Sequence, residues 1–297
     1  MDTTVEKTLV TTPRVIGKPA SFYIGQTLRY LLYLLIGLVM FTPFILAFLG
    51  SFKTDAEITA YPPKFLPAKW LVQNWVTVWK TDIGQGGTFP RWLFNTSFLS
   101  VTLAFLRVIF CSLAAYSFAR MNFPGKDLAF TFMLSTMMIP DAVKLIPAYV
   151  LMTKLKLINT FWSLILPGIV DAGSIFLLTQ FFKTIPKDLE EAAFIDGAGH
   201  FQIYRTVILP LARPALLTVF ILQFQGAWND FLKPLLYLNT PDKYVLNVAL
   251  SIFQQQYKAQ WNLTLVGAMV NAIPILILFF IFSRYYIQGV AYTGVKG

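Results

Sequence analysis

Six long apolar runs, separated by polar stretches, dominate the pattern along the chain. A helix needs about 20 apolar residues to cross the hydrocarbon core of a bilayer, and each run is long enough to do so. Their apolar residues lie nearly all round a helix, as is typical of helices surrounded by lipid and by other helices. The pattern predicts an all-α membrane protein with six transmembrane helices, at about 28–50, 93–118, 128–152, 161–182, 212–238 and 263–286.

Composition agrees with a membrane location. Of the 297 residues, 56% are hydrophobic and 13% are charged, whereas a soluble globular chain carries about 25% charged residues. A net charge of +10 would favour nucleic acid as the partner of a soluble protein. Here most cations lie in short connections between the apolar runs, and membrane topology accounts for that placement better than phosphate binding does. We expect a lipid bilayer, and no nucleic acid, around this chain.

Cysteine and histidine are too scarce for disulfide or metal chemistry. Cys111 is the only cysteine and lies inside an apolar run, and His200 is the only histidine. They form neither a disulfide within the chain nor a zinc motif such as H-E-x-x-H. The phosphate-binding string G-x-x-x-x-G-K-[ST] is also absent from the sequence. We therefore expect no catalytic residue and no metal ligand here, which favours a transport subunit over an enzyme.

The number of spans and the distribution of cations predict the topology. An even number of spans places both termini on one side, and cations are slightly more numerous in the tails and loops of that side, which favours cytoplasmic termini. No cleavable signal peptide is expected, because the first apolar run is long enough to span. The predicted organisation is a cytoplasmic N-terminal tail at 1–27, the first transmembrane helix and an external loop at 28–92, a five-helix core at 93–286 and a cytoplasmic C-terminal tail at 287–297.

Prolines inside the runs predict irregular helices. Pro140 and Pro147 both fall in the third run. Proline removes a backbone donor and clashes with the preceding turn, so it kinks or breaks a helix. Bundles tolerate such breaks where neighbours or water bind the freed carbonyls. We expect the third span to be bent or partly unwound.

The polar segment 183–214, between the fourth and fifth runs, has the pattern of a structured loop. Asp188 with Glu191 resembles a capping box in which an acid replaces the usual hydroxyl. Good helix formers follow, and Gly197 and Gly199 then allow a sharp turn. Apolar residues recur afterwards along one helix face. The segment is predicted to form a short helix, a glycine turn and a second helix that leads into the fifth span.

The same segment resembles the EAA loop of ABC importer permeases, whose usual form is E-A-A-x-x-D-G-A, then an aromatic residue, then L-P. The matching residues are Glu191, Ala192, Ala193, Asp196, Gly197, Ala198, Gln202, Tyr204, Arg205, Leu209, Pro210 and Leu211. Further strings resemble the maltose-type carbohydrate permeases across about residues 28–297. The first is A-R at 119–120 followed by F-P-G at 123–125, and the second is W-N-D-F at 228–231. The third is the last four residues, Gly294, Val295, Lys296 and Gly297.

This resemblance implies a fold, a function and partners. The fold is that of a type I ABC importer permease, and the function is that of the permease subunit of an ATP-driven, binding-protein-dependent carbohydrate importer in a bacterial or archaeal cytoplasmic membrane. The implied partners are a second homologous permease, two ABC ATPase subunits and an external solute-binding protein. ATP and Mg would be bound by the ATPase chains, with no cofactor on this chain. The residues implied to contact the ATPases are Glu191, Ala192, Ala193, Asp196, Gly197, Ala198 and Gly199, with the tail Gly294, Val295, Lys296 and Gly297.

Several ionisable residues fall inside the apolar runs. Each costs about 2.5–3.5 kcal/mol at mid-bilayer on insertion scales unless it is paired or hydrated. Asp141 and Lys144 are three residues apart, as are Asp230 and Lys233, so each pair shares a helix face. Either these residues pair for structural reasons or some line a hydrated solute path. The candidates for that path are Trp228, Asn229, Asp230, Asp141, Asp171 and Asn271.

Arg107 lies near the middle of the second run, where the resemblance leads us to expect an apolar residue. An arginine there cannot easily reach either interface, and an uncompensated charge is costly. We expect it to pair with Asp141, Asp171, Asp230 or an acid of the partner permease. The alternative is that it lines the aqueous cavity and meets an anionic solute.

The external loop 239–262 offers amides and aromatic residues, which suit contact with a carbohydrate site. In maltose-type complexes the corresponding loop enters the cleft of the binding protein. The residues predicted to make that contact are Gln254, Gln255 and Tyr257. The alternative is a hydrated connector with an interfacial aromatic belt.

Other functions remain open on sequence alone. The same transporter class could carry glycerol phosphate or a polyol. An ion-coupled secondary transporter would suit the carboxylates inside the spans, but the two halves of the chain show no repeat. A membrane enzyme would need a nucleophile–base or metal cluster, and the sequence offers none.

Overall fold

The computed structural model describes residues 20–256 and 260–294, and within them regular structure is helical, with no β-strand. Short 3₁₀ or π turns occur at Thr136–Met138, Tyr204–Ile208 and Pro241–Lys243. The α-helices are α1 (Ala20–Gly50), α2 (Asp55–Ile58), α3 (Gln73–Lys80), α4 (Phe89–Arg120), α5 (Lys126–Ser135), α6 (Asp141–Lys154), α7 (Trp162–Gly168), α8 (Ala172–Thr184), α9 (Asp188–Ile195), α10 (His200–Ile203), α11 (Leu209–Leu211), α12 (Arg213–Asn229), α13 (Leu232–Tyr237), α14 (Leu246–Gln256) and α15 (Trp261–Gly294).

The chain divides into two units, Met1–Leu46 and Ala47–Gly297. In its described part the first unit is most of the apolar helix α1. The second unit carries the last turn of α1 and every later element, and it holds the sites discussed below.

By length and composition, three described helices could cross a membrane, or up to six segments if each bent helix pair counts as one span. The three single helices lie in the first, second and sixth predicted spans. The bent pairs are Lys126–Met138 with Asp141–Lys154 at 101°, Trp162–Gly168 with Ala172–Thr184 at 41°, and His200–Leu211 with Arg213–Asn229 at 79°.

The breaks have local causes. Pro140 precedes α6, and Ile139 before it is extended, because a residue before proline avoids the helical conformation. Asp171 is also extended and caps α8, with its carboxylate accepting the Ser174 N–H at 2.7 Å. The expected bend of the third span is therefore confirmed. The fifth span differs from the prediction, because α12 ends at Asn229 and the chain breaks at Asp230 before α13.

Helix α4 is the centre of the second unit. It contributes to all three clusters of buried apolar side chains, which join it to α8 and α12, to α14 and α15, and to α7 and α13. Small polar residues on α4 are also buried, among them Ser100 and Ser112. Small residues allow helix backbones to approach closely, which drives helix association where the surrounding lipid is as apolar as the protein. A displacement of α4 would therefore change the packing in all three buried clusters.

Candidate coupling loop and solute cavity

The short helix predicted in the 183–214 segment is α9, but its start differs from the predicted capping box. Lys187 is the N-cap residue, makes no side-chain cap, and offers its carbonyl to the N–H groups of Glu190 and Glu191 at 2.9 and 3.0 Å. Asp188 is already helical, so it cannot act as the cap. The acids of the first turn instead stabilise the helix through its dipole, whose positive end lies there.

The turn after α9 requires glycine at one of its two glycine positions. Gly197 has φ +84°, and the N–H of Ala198 reaches back to the Ala193 carbonyl at 2.9 Å, which closes the helix end. Gly199 has φ −80° and begins α10 in extended conformation, which any residue can adopt. The sequence pattern named both glycines, and the structure separates their roles.

A buried ion pair anchors α9 to the end of α4. Arg120 Nε lies 2.7 Å from Glu190 Oε1, and the two side chains are only 4% and 9% exposed. The same guanidinium donates to the Ile185 carbonyl through Nη2. Burial raises the pKa of Glu190, and the nearby Arg120 charge opposes that rise. Sequence reasoning missed Glu190, because the motif drew attention to its neighbour Glu191.

A second contact ties the loop to the same helix. Tyr204, which follows α10, is buried, and its hydroxyl lies 2.7 Å from the Ser112 hydroxyl on α4. Much of the rest of the loop is exposed. Its exposed residues include Glu191, Ala192, Phe194, Ile195, Asp196 and Phe201. The loop is thus held to α4 through Glu190 and Tyr204, and it exposes apolar and acidic side chains elsewhere.

A cavity of about 810 Å³ lies between α4, α6, α7, α12 and α13. It brings together four of the six residues predicted for the solute path. The polar and charged residues in its wall are Arg107, Asp141, Lys144, Ser163, Asp171, Gln223, Asn229, Asp230, Lys233 and Tyr237.

Trp228 and Asn271, the other two predicted path residues, lie outside this wall. Trp228 is 1% exposed, and its indole N–H donates to Asn271 Oδ1 at 3.0 Å. Asn271 in turn donates to Asn247, which donates to the Trp228 carbonyl. Neighbouring residues of a helix point about 100° apart, so Asn229 can line the cavity while Trp228 joins α12 to α14 and α15.

Arg107 makes no ion pair with an acid of the described residues, which contradicts the direct pairing expected within this chain. Its guanidinium donates to the Gly168 carbonyl at the break between α7 and α8, and to Gln223 Oε1 on α12. The Gln223 amide then donates to Asp171 Oδ2 at 3.3 Å and to Ser174 Oγ at 2.8 Å. An amide thus relays the contact between Arg107 and Asp171, and sequence spacing gave no sign of it.

Both local ion pairs that the sequence spacing allowed are present, although Asp230 is extended and does not share a helix with Lys233. Lys144 Nζ lies 2.7 Å from Asp141 Oδ1, and Lys233 Nζ lies 4.0 Å from Asp230 Oδ2. Both pairs face the cavity. Asp141 and Asp230 therefore each have a lysine nearby. The cavity wall holds three carboxylates and three cations, so its formal charges cancel.

The predicted outer and terminal contacts fall partly outside the described residues. Gln254 is exposed near the end of α14. Gln255 lies in α14, but its side chain, together with Tyr257, Val295, Lys296 and Gly297, is outside the described part, whose last residue is Gly294. Within the described residues, no cluster of three or more metal-binding side chains was found.

Comparison with known proteins gives the family. The family model for the binding-protein-dependent transport system inner membrane component matches residues 108–292. An arabinooligosaccharide transport system permease protein of Halalkalibacterium halodurans is 32% identical over 86% of this chain and 91% of its own length. A probable ABC transporter permease protein of Pyrococcus horikoshii is 35% identical over 86% of this chain and 92% of its own length.

A solved structure agrees with these sequence matches. It is the crystal structure of a bacterial ABC transporter involved in the import of the acidic polysaccharide alginate. One of its chains superimposes with a TM-score of 0.76 and 25% sequence identity, covering 93% of this chain and 100% of that chain. The chain described here therefore belongs to the family of binding-protein-dependent transport system inner membrane components and is a multi-pass membrane permease.

Proposed function

We propose that this chain is the permease subunit of an ATP-driven importer that receives a carbohydrate from a solute-binding protein. The observation that carries the proposal is the geometry of the 183–214 segment. Its helix α9 is fixed to α4 through Arg120 and Glu190, while Ala192, Phe194 and Ile195 of the same helix are exposed. An exposed apolar face on a structured loop is a surface for a protein partner. We assign that partner as an ABC ATPase, which supplies ATP and Mg.

The anchored loop offers a route from ATP hydrolysis to the solute. Movement of α9 would be passed to the end of α4 by the Arg120–Glu190 pair, and to a point about two turns before that end by the Tyr204–Ser112 contact. Arg107, further along the same helix, lies in the wall of the cavity. A rigid α4 can thus link the ATPase surface to the solute path, as a transition between two packed states requires.

The cavity suits a polyhydroxylated solute. Its carboxylates, ammonium groups and amides can accept and donate hydrogen bonds to sugar hydroxyls. The arabinooligosaccharide permease and the alginate transporter among the relatives support a sugar or oligosaccharide as cargo. Because alginate is acidic, an anionic solute such as glycerol phosphate is the second candidate, and Arg107 would be the residue to meet it.

The remaining assignments complete the assembly. The proposed complex holds this chain, a second homologous permease and two ATPases in a bacterial or archaeal cytoplasmic membrane, with both termini of this chain cytoplasmic. The tail Gly294–Gly297 would reach the ATPases, and the 239–262 loop would meet the binding protein on the outside.

Uptake into proteoliposomes tests this proposal. The complete complex, reconstituted with its binding protein, is expected to accumulate a labelled oligosaccharide only when ATP is supplied to the ATPases. A protonophore is expected to leave uptake unchanged, because no ion gradient drives it. Uptake that survives without ATP but is abolished by the protonophore would replace this proposal with ion-coupled secondary transport.

A further inference from the structure

The segment 51–72, which joins α1 to α3, exposes several large apolar side chains. Tyr61 is 96% exposed, Phe65 70%, Leu66 67% and Trp70 56%. Large contiguous apolar surfaces on a folded protein mark contact with another protein or with a membrane. The family assignment gives these side chains no role.

This exposure belongs to an ordered segment. Thr54 and Glu57 form a capping box at the start of α2, and Glu57 Oε1 also accepts the N–H of Ala68 at 3.0 Å. These hydrogen bonds lower the pKa of Glu57, so its carboxylate stays charged and keeps both contacts. The Lys53 ammonium group donates to the Lys64 carbonyl across the same loop. These hydrogen bonds fix the backbone on both sides of Phe65 and Leu66, whose side chains are exposed.

The 51–72 segment lies beside the C-terminal end of α1 and the N-terminal end of α15, which indicates its depth in a membrane. Gly50, the last residue of α1, lies against the Leu265 side chain, about one turn into α15. Asp55, the first residue of α2, accepts the N–H of Asn262 at the start of α15 at 3.0 Å. One long apolar helix thus ends, and another begins, beside the segment. Such a level corresponds to the boundary between hydrocarbon and water.

We propose that the 51–72 segment lies in the lipid headgroup region of the leaflet in which α1 ends and α15 begins. Tyrosine and tryptophan favour this region because their rings have an apolar body and a polar edge. Phe65 and Leu66 would enter the acyl boundary beside them. Lys64 and Lys69, both exposed, alternate with the apolar residues and would meet lipid phosphates. The segment would then fix the depth of the start of α15 in the bilayer.

Fluorescence quenching in the complete, reconstituted complex tests this placement. Cys111 is the only cysteine of the chain and is fully buried, so a cysteine introduced at an exposed position can be labelled selectively when the other subunits lack reactive thiols. Phe65→Cys and Leu66→Cys would carry the label, with Gln85→Cys in an exposed polar turn as the matched control. Lipids brominated near the headgroup should quench the labels at 65 and 66 at least about threefold more strongly than the label at 85. Iodide dissolved in the water should quench the labels at 65 and 66 less strongly than the label at 85.

Three results would overturn the proposal. Labels at 65 and 66 that iodide reaches as readily as the control, with no effect of brominated lipid, would place the segment in water. Protection from iodide that appears only when the loaded binding protein is added would assign the surface to that protein. Insensitivity to both quenchers would mean that another subunit covers it. Because quenching is read without ATP hydrolysis or transport, failure of this placement leaves the proposed transport function untouched.

Discussion

At the scale of single residues, Gly197 and Gly199 allow bulk to be separated from backbone strain. Gly197 has φ +84° and Gly199 has φ −80°, and a Cβ at either position would meet no atom within 4 Å. Alanine at 197 adds strain of about 1–2 kcal/mol but little volume. Tryptophan at 199 adds volume without strain, in a direction that this chain leaves empty.

We therefore expect Gly199→Trp to abolish the stimulation of ATP hydrolysis by loaded binding protein, because the added ring would occupy the surface assigned to the ATPase. Gly197→Ala is expected to retain more than roughly half of that stimulation, since its cost is local. ATPase assays on both purified complexes make the comparison. Normal stimulation and uptake with Gly199→Trp would remove this turn from the coupling surface.

Arg107 on α4 and Gln223 on α12 are joined by a side-chain hydrogen bond. Arg107→Leu leaves the Gly168 carbonyl and the Gln223 amide oxygen without this donor, and Gln223→Leu removes one of the acceptors of the same guanidinium. Each substitution should lower the melting temperature of the complex, and the double variant should lose less than the sum, with a coupling of about 0.5–3 kcal/mol. Thermal unfolding of the four proteins measures that coupling.

Uptake distinguishes this structural role from contact with the solute. A structural role predicts that Arg107→Leu reduces uptake of every solute alike. Additive unfolding effects, together with a loss confined to an anionic solute, would contradict the structural role and point to charged cargo. The sequence showed that Arg107 needed a partner. It could not show which one, because Gly168 and Gln223 lie 61 and 116 residues away along the chain.

At the scale of elements, the Arg120–Glu190 pair holds α9 against α4. Removing one partner of a buried ion pair costs roughly 3–5 kcal/mol, because the other charge is left buried without compensation. Arg120→Ala should therefore loosen α9, and amide hydrogen exchange at 188–195 should accelerate by on the order of tenfold or more. Coupled uptake should fall in parallel.

The reversed pair, Arg120→Glu with Glu190→Arg, is the matched control. It should recover part of the protection and part of the uptake, whereas Lys187→Ala, at an exposed position of the same segment, should change neither. Unchanged exchange in Arg120→Ala would show that α9 is held by other contacts.

Local sequence pattern predicted some of the helix breaks and missed others. Pro140 predicted the bend in the third span, because the restriction on the residue before a proline is a property of the local chain. The break at Asp230 was missed, since the run 212–238 is apolar enough to be one helix by composition alone. The capping box at Asp188 was wrong because α9 begins one residue earlier than the pattern suggested.

At the scale of the whole molecule, the external loop is the predicted meeting point with the binding protein. A photo-activatable crosslinker at Gln255 should capture the binding protein during turnover, because an amide-rich loop can compete for hydroxyl-binding groups in its cleft. The same crosslinker at Gln85 is the control for general proximity. If Gln255 never captures the binding protein while uptake proceeds, the contact predicted for this loop does not occur.

Length and hydropathy alone predicted the helical membrane class and the approximate spans, and a contiguous motif marked the 183–214 segment as a structured loop. These depend on length, hydropathy and a contiguous motif, which are local properties of the chain. Spacing of three on one helix also indicated the Asp141–Lys144 contact, since that spacing is local geometry. The Asp230–Lys233 contact forms although Asp230 is extended and precedes α13.

The division of the polar residues between the cavity wall and the packed core follows from the folded structure alone. The tertiary structure placed Asn229 in the cavity wall and Trp228 in the core, although they are adjacent in sequence. It brought Glu190 to Arg120 and set Gln223 between Arg107 and Asp171. Such contacts depend on the rotation and relative position of packed helices, which side-chain packing over the whole unit fixes and no local pattern records.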